Sequence, residues 1–106
     1  KSMSPFFTIR LSNLSAVIIS HVNLYADRLE VIAEAYKNGQ MKAAATRRAV
    51  LAVVADFKKA TRNYSRMFRA AYNLTGSTTG EIYDTIGNNY TDALSRFYRA
   101  YSFFEI

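Results

Sequence analysis

Residues 41–73 run for 33 positions without a glycine or a proline and are rich in alanine, and nothing else constrains the fold of this 106-residue chain so strongly. At 1.5 Å per residue an unbroken helix over that stretch is roughly 50 Å long. A compact globule of about 100 residues has a radius of gyration of only ~13 Å. The stretch therefore either bends, with residues 61–63 the expected place, or makes the domain elongated.

The flanking segments also read as helices. Between residues 13 and 37, Ile18, Val22, Tyr25, Leu29, Ile32 and Tyr36 recur at spacings of 4 and 3, which puts them on one helical face. Asn38 and Gly39 supply the stop. Residues 74–80 are a loop by composition, and Thr78 followed by Glu81 forms a capping box for the next helix. Gly87, Asn88 and Asn89 are expected to interrupt it, with Thr91 capping a last helix whose inward face is Leu94, Phe97, Tyr98, Tyr101 and Phe104. Residues 1–9, with Pro5 beside Phe6 and Phe7 and no helical period, read as an extended arm. The expected fold is all-α: an antiparallel three- to four-helix bundle over residues 10–106, preceded by an N-terminal arm over 1–9. With 50% hydrophobic residues, the chain can bury enough apolar surface to fold.

Charge is distributed unevenly over this plan. Residues 41–73 hold eight of the fourteen basic residues and one of the eight acids, Asp56, so the rest of the chain is slightly acidic. At about 100° per residue, Arg47, Arg48, Lys58, Lys59, Arg62, Arg66 and Arg69 fall within an arc of roughly 120°. The opposite side collects Val50, Val53, Val54, Phe57, Tyr64, Phe68, Ala71 and Tyr72. Like charges one turn apart, as in Lys58 and Arg62, cost a few tenths of a kcal/mol when no anion is present. Two readings compete. In one, the cations are a solvated face paired with Asp27, Glu30 and Glu34 of the first helix; in the other, they neutralise the phosphates of a nucleic acid and release its condensed counterions. The arginines suit bidentate phosphate contacts. No base-reading motif accompanies them, so the expected binding is to backbone and shape.

Other chemistry finds little support. Zero cysteines and a single histidine, His21, leave no set of metal ligands, and no acid, base and nucleophile can be assembled into a catalytic site. Glu30 and Glu34 lack the histidine partners of a carboxylate-bridged metal pair. No enzyme, metal or cofactor is expected. Residues 14–26, the most apolar run, are too short and too interrupted to span a bilayer. The sequence opens on Lys1 and not Met, which leaves targeting unjudged and a longer product expected. Phe6, Phe7 and Phe103 project off any single apolar face and, with Phe104, are expected to make contacts between subunits.

The Pro5-Phe6-Phe7 arm, the tyrosine- and arginine-rich helices without cysteine, the cationic central helix and the terminal run from Arg96 through Phe97, Tyr98, Arg99 and Tyr101 to Phe104 resemble the DNA-packaging coat proteins of filamentous archaeal viruses of the lipothrixvirus and rudivirus kind. That resemblance implies a four-helix bundle that assembles helically around double-stranded DNA, located in the virion or the host cytoplasm. The alternatives are an adaptor whose basic face meets an acidic protein and, less favoured, a domain lying on an anionic membrane surface.

Overall fold

The computed structural model describes residues 5–75 and 81–104, and the side chains within 13–64, at 66 and within 86–104. It contains three helices: α1 (Pro5–Lys37), α2 (Ala43–Thr75) and α3 (Glu81–Ser102). No strand occurs among the described residues. None of their helices is long and apolar enough to cross a membrane.

The expected arm is helix wherever it is described, because α1 already begins at Pro5. Residues 1–4 and the side chains of Phe6 and Phe7 lie outside the described residues. At its other end α1 stops on Gly39, at φ +75°. The Gln40 amide donates to the Ala35 carbonyl at 2.8 Å and the Gly39 amide to that of Tyr36 at 3.1 Å. These two bonds close a left-handed helix cap, and the positive φ is what requires glycine there.

Helix α2 continues through residues 61–63, where the Thr61 hydroxyl donates to the Lys58 carbonyl at 3.1 Å and so stays satisfied within the helix. The domain is accordingly a rod of 57 by 19 by 19 Å. Its radius of gyration, 16.8 Å, exceeds the compact expectation because the long helix does not fold back.

The expected interruption at Gly87, Asn88 and Asn89 does not occur, since α3 passes unbroken through all three. A glycine inside a helix costs only about 1 kcal/mol. Ile86, Ala93 and Phe97, spaced by 7 and 4, are buried on one face of α3, and that burial outweighs the local preference. The Thr78 capping box lies outside the described residues.

The pairing of side chains fixes the helix directions. Tyr25 meets Phe57, and His21 meets Tyr64, so positions rise on α1 as they fall on α2: the two are antiparallel. Arg96 reaches Asn23, Asp27 and Glu30, and Lys37 lies over Phe103, so α1 and α3 run in the same direction. Helix α1 approaches both others closely along its backbone. Its Ile18, Val22, Ala26 and Leu29 form the middle of the core, joined by Val50, Val53, Phe57 and Tyr64 from α2 and Ala93 and Phe97 from α3. The Phe57 and Phe97 rings stack at 3.7 Å and 7°, with the edges of Tyr25 and Tyr98 against Phe57. Of the expected inward positions, Tyr36 and Tyr98 are instead exposed.

Two measurements test this packing. A Cβ added at Gly87 meets no atom within 4 Å. Gly87→Ala should therefore raise the urea unfolding free energy by about 0.5–1 kcal/mol; a helix interrupted at that point gains nothing. Tyr64, which shares a hydrogen bond with His21, has its hydroxyl pKa raised by burial first and then by Tyr25 and Tyr90. The folded state therefore keeps this proton to higher pH than the unfolded chain does. Its contribution is complete below about pH 10, the ordinary tyrosine value, and is lost as the pH climbs through the raised value. Melting curves taken across that range should fall less steeply with pH in Tyr64→Phe than in the parent.

Candidate nucleic-acid interface

The inward positions of α2 determine where its cations go. Phe57 and Tyr64 are buried, so Lys58 and Lys59, one and two steps of 100° further round, are carried away from the core. Arg47, Arg48, Lys58, Lys59, Arg62 and Arg66 are all exposed. The backbone of Arg69 continues the same helix, and its side chain lies outside the described residues. From Arg47 to Arg66 the row extends about 28 Å along α2, in two groups separated by ten residues or roughly 15 Å. Between the groups the same face carries Leu51 and Ala55, the former 42% exposed.

Two of the three α1 acids that could have neutralised this row are engaged elsewhere. Arg96 of α3 reaches across to α1, where its Nη2 donates to Glu30 at 2.6 and 3.0 Å and to Asp27, and its Nη1 donates to the Asn23 side chain at 3.1 Å. Its guanidinium pKa is held above the ordinary value, by the hydrogen bond to Asp27 first and that to Glu30 second. Asp56, the sole acid of α2, takes Arg28 of α1 at 3.4 Å. Among the described residues, no ion pair involves any cation of the row. Glu34 is exposed and pairs with none of them.

The sequence singled out the row but not the clamp that frees it. Asp27 and Glu30 are three residues apart on α1, a spacing that presents two carboxylates to one guanidinium. That was the available signal for Arg96. Of the residues expected at subunit contacts, Phe103 is 43% exposed, stands edge to face with Phe104 at 5.2 Å and lies under the Lys37 ammonium at 4.8 Å. Phe104 packs against the core. His21 hydrogen-bonds Tyr64 across α1 and α2, and no group of three or more potential metal ligands occurs among the described residues.

The two ion-pair systems differ in weight. Arg96, with a 35% exposed side chain, holds two carboxylates and an amide, whereas Arg28 and Asp56 are a single pair with 44% and 58% exposed side chains. Arg96→Met should lower stability by about 1–2 kcal/mol, and Arg28→Met by less than about 0.5 kcal/mol. Denaturant titrations of both variants check the order, and equal losses would contradict the clamp. Comparison with known proteins finds no family model, curated protein or solved structure that matches this chain, so the functional reading rests on this geometry.

Proposed function

We propose that the protein is a structural DNA-binding subunit that packs double-stranded DNA through the outer face of α2, in a repeating assembly of the kind formed by filamentous viral coat proteins. The observation that carries the reading is a face of six exposed cations, none of which is ion-paired with a described carboxylate. Mutual repulsion along such a face is relieved when an anion arrives. The spacing of the target suits the face: a duplex presents one charge per 1.7 Å of axis, and the ~28 Å row approaches one helical turn.

The neighbouring side chains favour duplex over single strand. A single-strand site interleaves cations with aromatic platforms on which bases stack. Here the described aromatics of α2, Phe57 and Tyr64, are buried, and the positions between the cations are alanine and leucine. The contacts are to phosphates, with little sequence selectivity and no chemistry performed on the ligand. The aromatic end at Phe103 and Phe104, together with Phe6 and Phe7, supplies contacts between subunits, and the setting is the virion or the host cytoplasm.

Binding to duplex DNA measured from low to high salt tests this directly. Six phosphate contacts give a log–log slope on the order of −5, and each of Arg62→Gln and Arg66→Gln should flatten it by about one. Arg62→Glu combined with Arg66→Glu should weaken binding at least tenfold. Salt-independent association, or equal affinity in the charge-reversed variant, overturns the proposal. Preference for an acidic protein over duplex at matched salt would assign the face to an adaptor.

A further inference from the structure

The chain carries four Asn-x-Ser/Thr triplets, beginning at Asn13, Asn63, Asn73 and Asn89, with leucine or tyrosine in the middle. Seven asparagines in a chain where about one residue in six is serine or threonine give about one such triplet by chance. The ordinary use of asparagine in helical proteins is at helix ends, because its side chain competes for backbone groups and suits caps better than interiors. That use does not apply here. Asn13, Asn63 and Asn89 lie inside α1, α2 and α3, each more than two turns from either end.

The asparagines also divide by role. Asn23 accepts a hydrogen bond from Arg96 at 3.1 Å and Asn38 belongs to the stop after α1, and neither has serine or threonine two positions on. Asn13, Asn63 and Asn89 are exposed, and among the described residues no hydrogen bond or ion pair involves their side chains. The Asn73 side chain lies outside the described residues. The asparagines that the fold uses thus lack the triplet, and the described ones that begin a triplet have no use in the fold.

We propose that Asn13, Asn63 and Asn89 are acceptor sites for Asn-linked sugar, the donor being a sugar carried on a phosphate. In the transfer the side-chain nitrogen bonds to the anomeric carbon, the bond from that carbon to the phosphate oxygen breaks, and the phosphate leaves with the electron pair. The amide gives up one proton, and nothing is oxidised or reduced. A separate transferase performs this chemistry, and the chain is its acceptor. The triplet is read with the hydroxyl beside the amide, whereas in a helix the residue two positions on is turned about 200° away. Ser15, moreover, is buried. Addition therefore precedes folding. Packing then leaves each modified amide in solvent, because the next residue takes the inward place: Leu14, Tyr64 and Tyr90 pack in or against the core.

The three positions surround α1. Asn13 lies on its outer ridge, in line with the exposed Val17, Leu24 and Val31. Asn63 follows Asp56 by seven residues and Asn89 precedes Arg96 by seven, so each keeps to the flank from which its helix reaches α1. Lys58 and Arg62 are turned further from α1, so the inference neither needs nor excludes a ligand on the row.

Protein isolated from its natural source and digested should yield peptides with sugar on Asn13, Asn63 and Asn89, and none on Asn23, Asn38 or Asn88, which lack the triplet. Fragmentation that keeps the sugar attached separates Asn88 from Asn89. A series differing by single sugars points to a nucleotide-linked donor and one block of fixed composition to a lipid-linked donor; both support the sites. Thr91→Ala, at an exposed position, should abolish addition at Asn89 and leave Asn13 and Asn63 unchanged, and Thr91→Ser should keep it. Unmodified asparagine at all three positions overturns the proposal. So does addition at Asn89 that persists in Thr91→Ala, or addition spread evenly over the asparagines with and without the triplet. Duplex binding is measured on protein from a host without Asn-linked transfer, so failure of this proposal and failure of the DNA reading are separately visible.

Discussion

The stack of Phe57 on Phe97 is the contact from which the rest of the surface follows. Helix α1 lies close to both other helices along its backbone, and the stack brings the side chains of α2 and α3 together at 3.7 Å. Holding Phe57 inward orients the neighbouring turns of α2, so that Lys58, Lys59 and Arg62 point away from the core. Holding Phe97 inward does the same for α3: Arg96, one residue earlier, is carried towards α1, where it meets Asp27 and Glu30. One aromatic contact thus positions both the exposed cations and the residue that takes the acids.

Electrostatics gives that arrangement its meaning. If Asp27 and Glu30 had been shared with α2, the cationic face would be a stabilising surface network and little else. Both acids instead converge on a guanidinium outside the row, and Asp56 is matched by Arg28, also outside it. Two guanidiniums outside the row thus take three carboxylates, and the six described cations of the row stay together on one side of α2. Opposite charges about 4 Å apart attract several-fold more strongly near a protein surface than in bulk water. Repulsion within the row, by contrast, acts through solvent and is screened by salt over about 10 Å at 0.1 M. A face of this kind is tolerated in the free protein.

Periodicity made the helices legible in the sequence, and it did so best where burial is one-sided. The apolar face of α2 and its opposed cations could be read from spacing, and so could the Gly39 stop, because only a left-handed residue closes that cap. Local signals misled where tertiary burial outweighs them: Gly87 looks like a break, yet Ile86, Ala93 and Phe97 hold α3 continuous across it. Residues 5–9 read as an arm and are helix, since proline is compatible with the start of a helix as well as with an extended segment and so does not tell the two apart. The Arg96 clamp was hidden for a different reason. It joins residues 66 and 69 positions apart, and a sequence carries no direct sign of which helix faces which.

The same reasoning explains why the outer ridge of α1 escaped a reading based on one face per helix. Ile18, Val22 and Leu29 account for the amphipathic signal, and once they are assigned to the core, Val17, Leu24 and Val31 look like scattered surface residues. Scattered exposed aliphatics need no explanation. A row at a constant spacing of seven is not scattered. A rod only 19 Å across has room for one layer of core between its helices, and its middle helix necessarily turns one side outward. When that side carries Val17, Leu24 and Val31, these aliphatics belong to no core of the rod, and a reading that allows each helix one apolar face has no place for them.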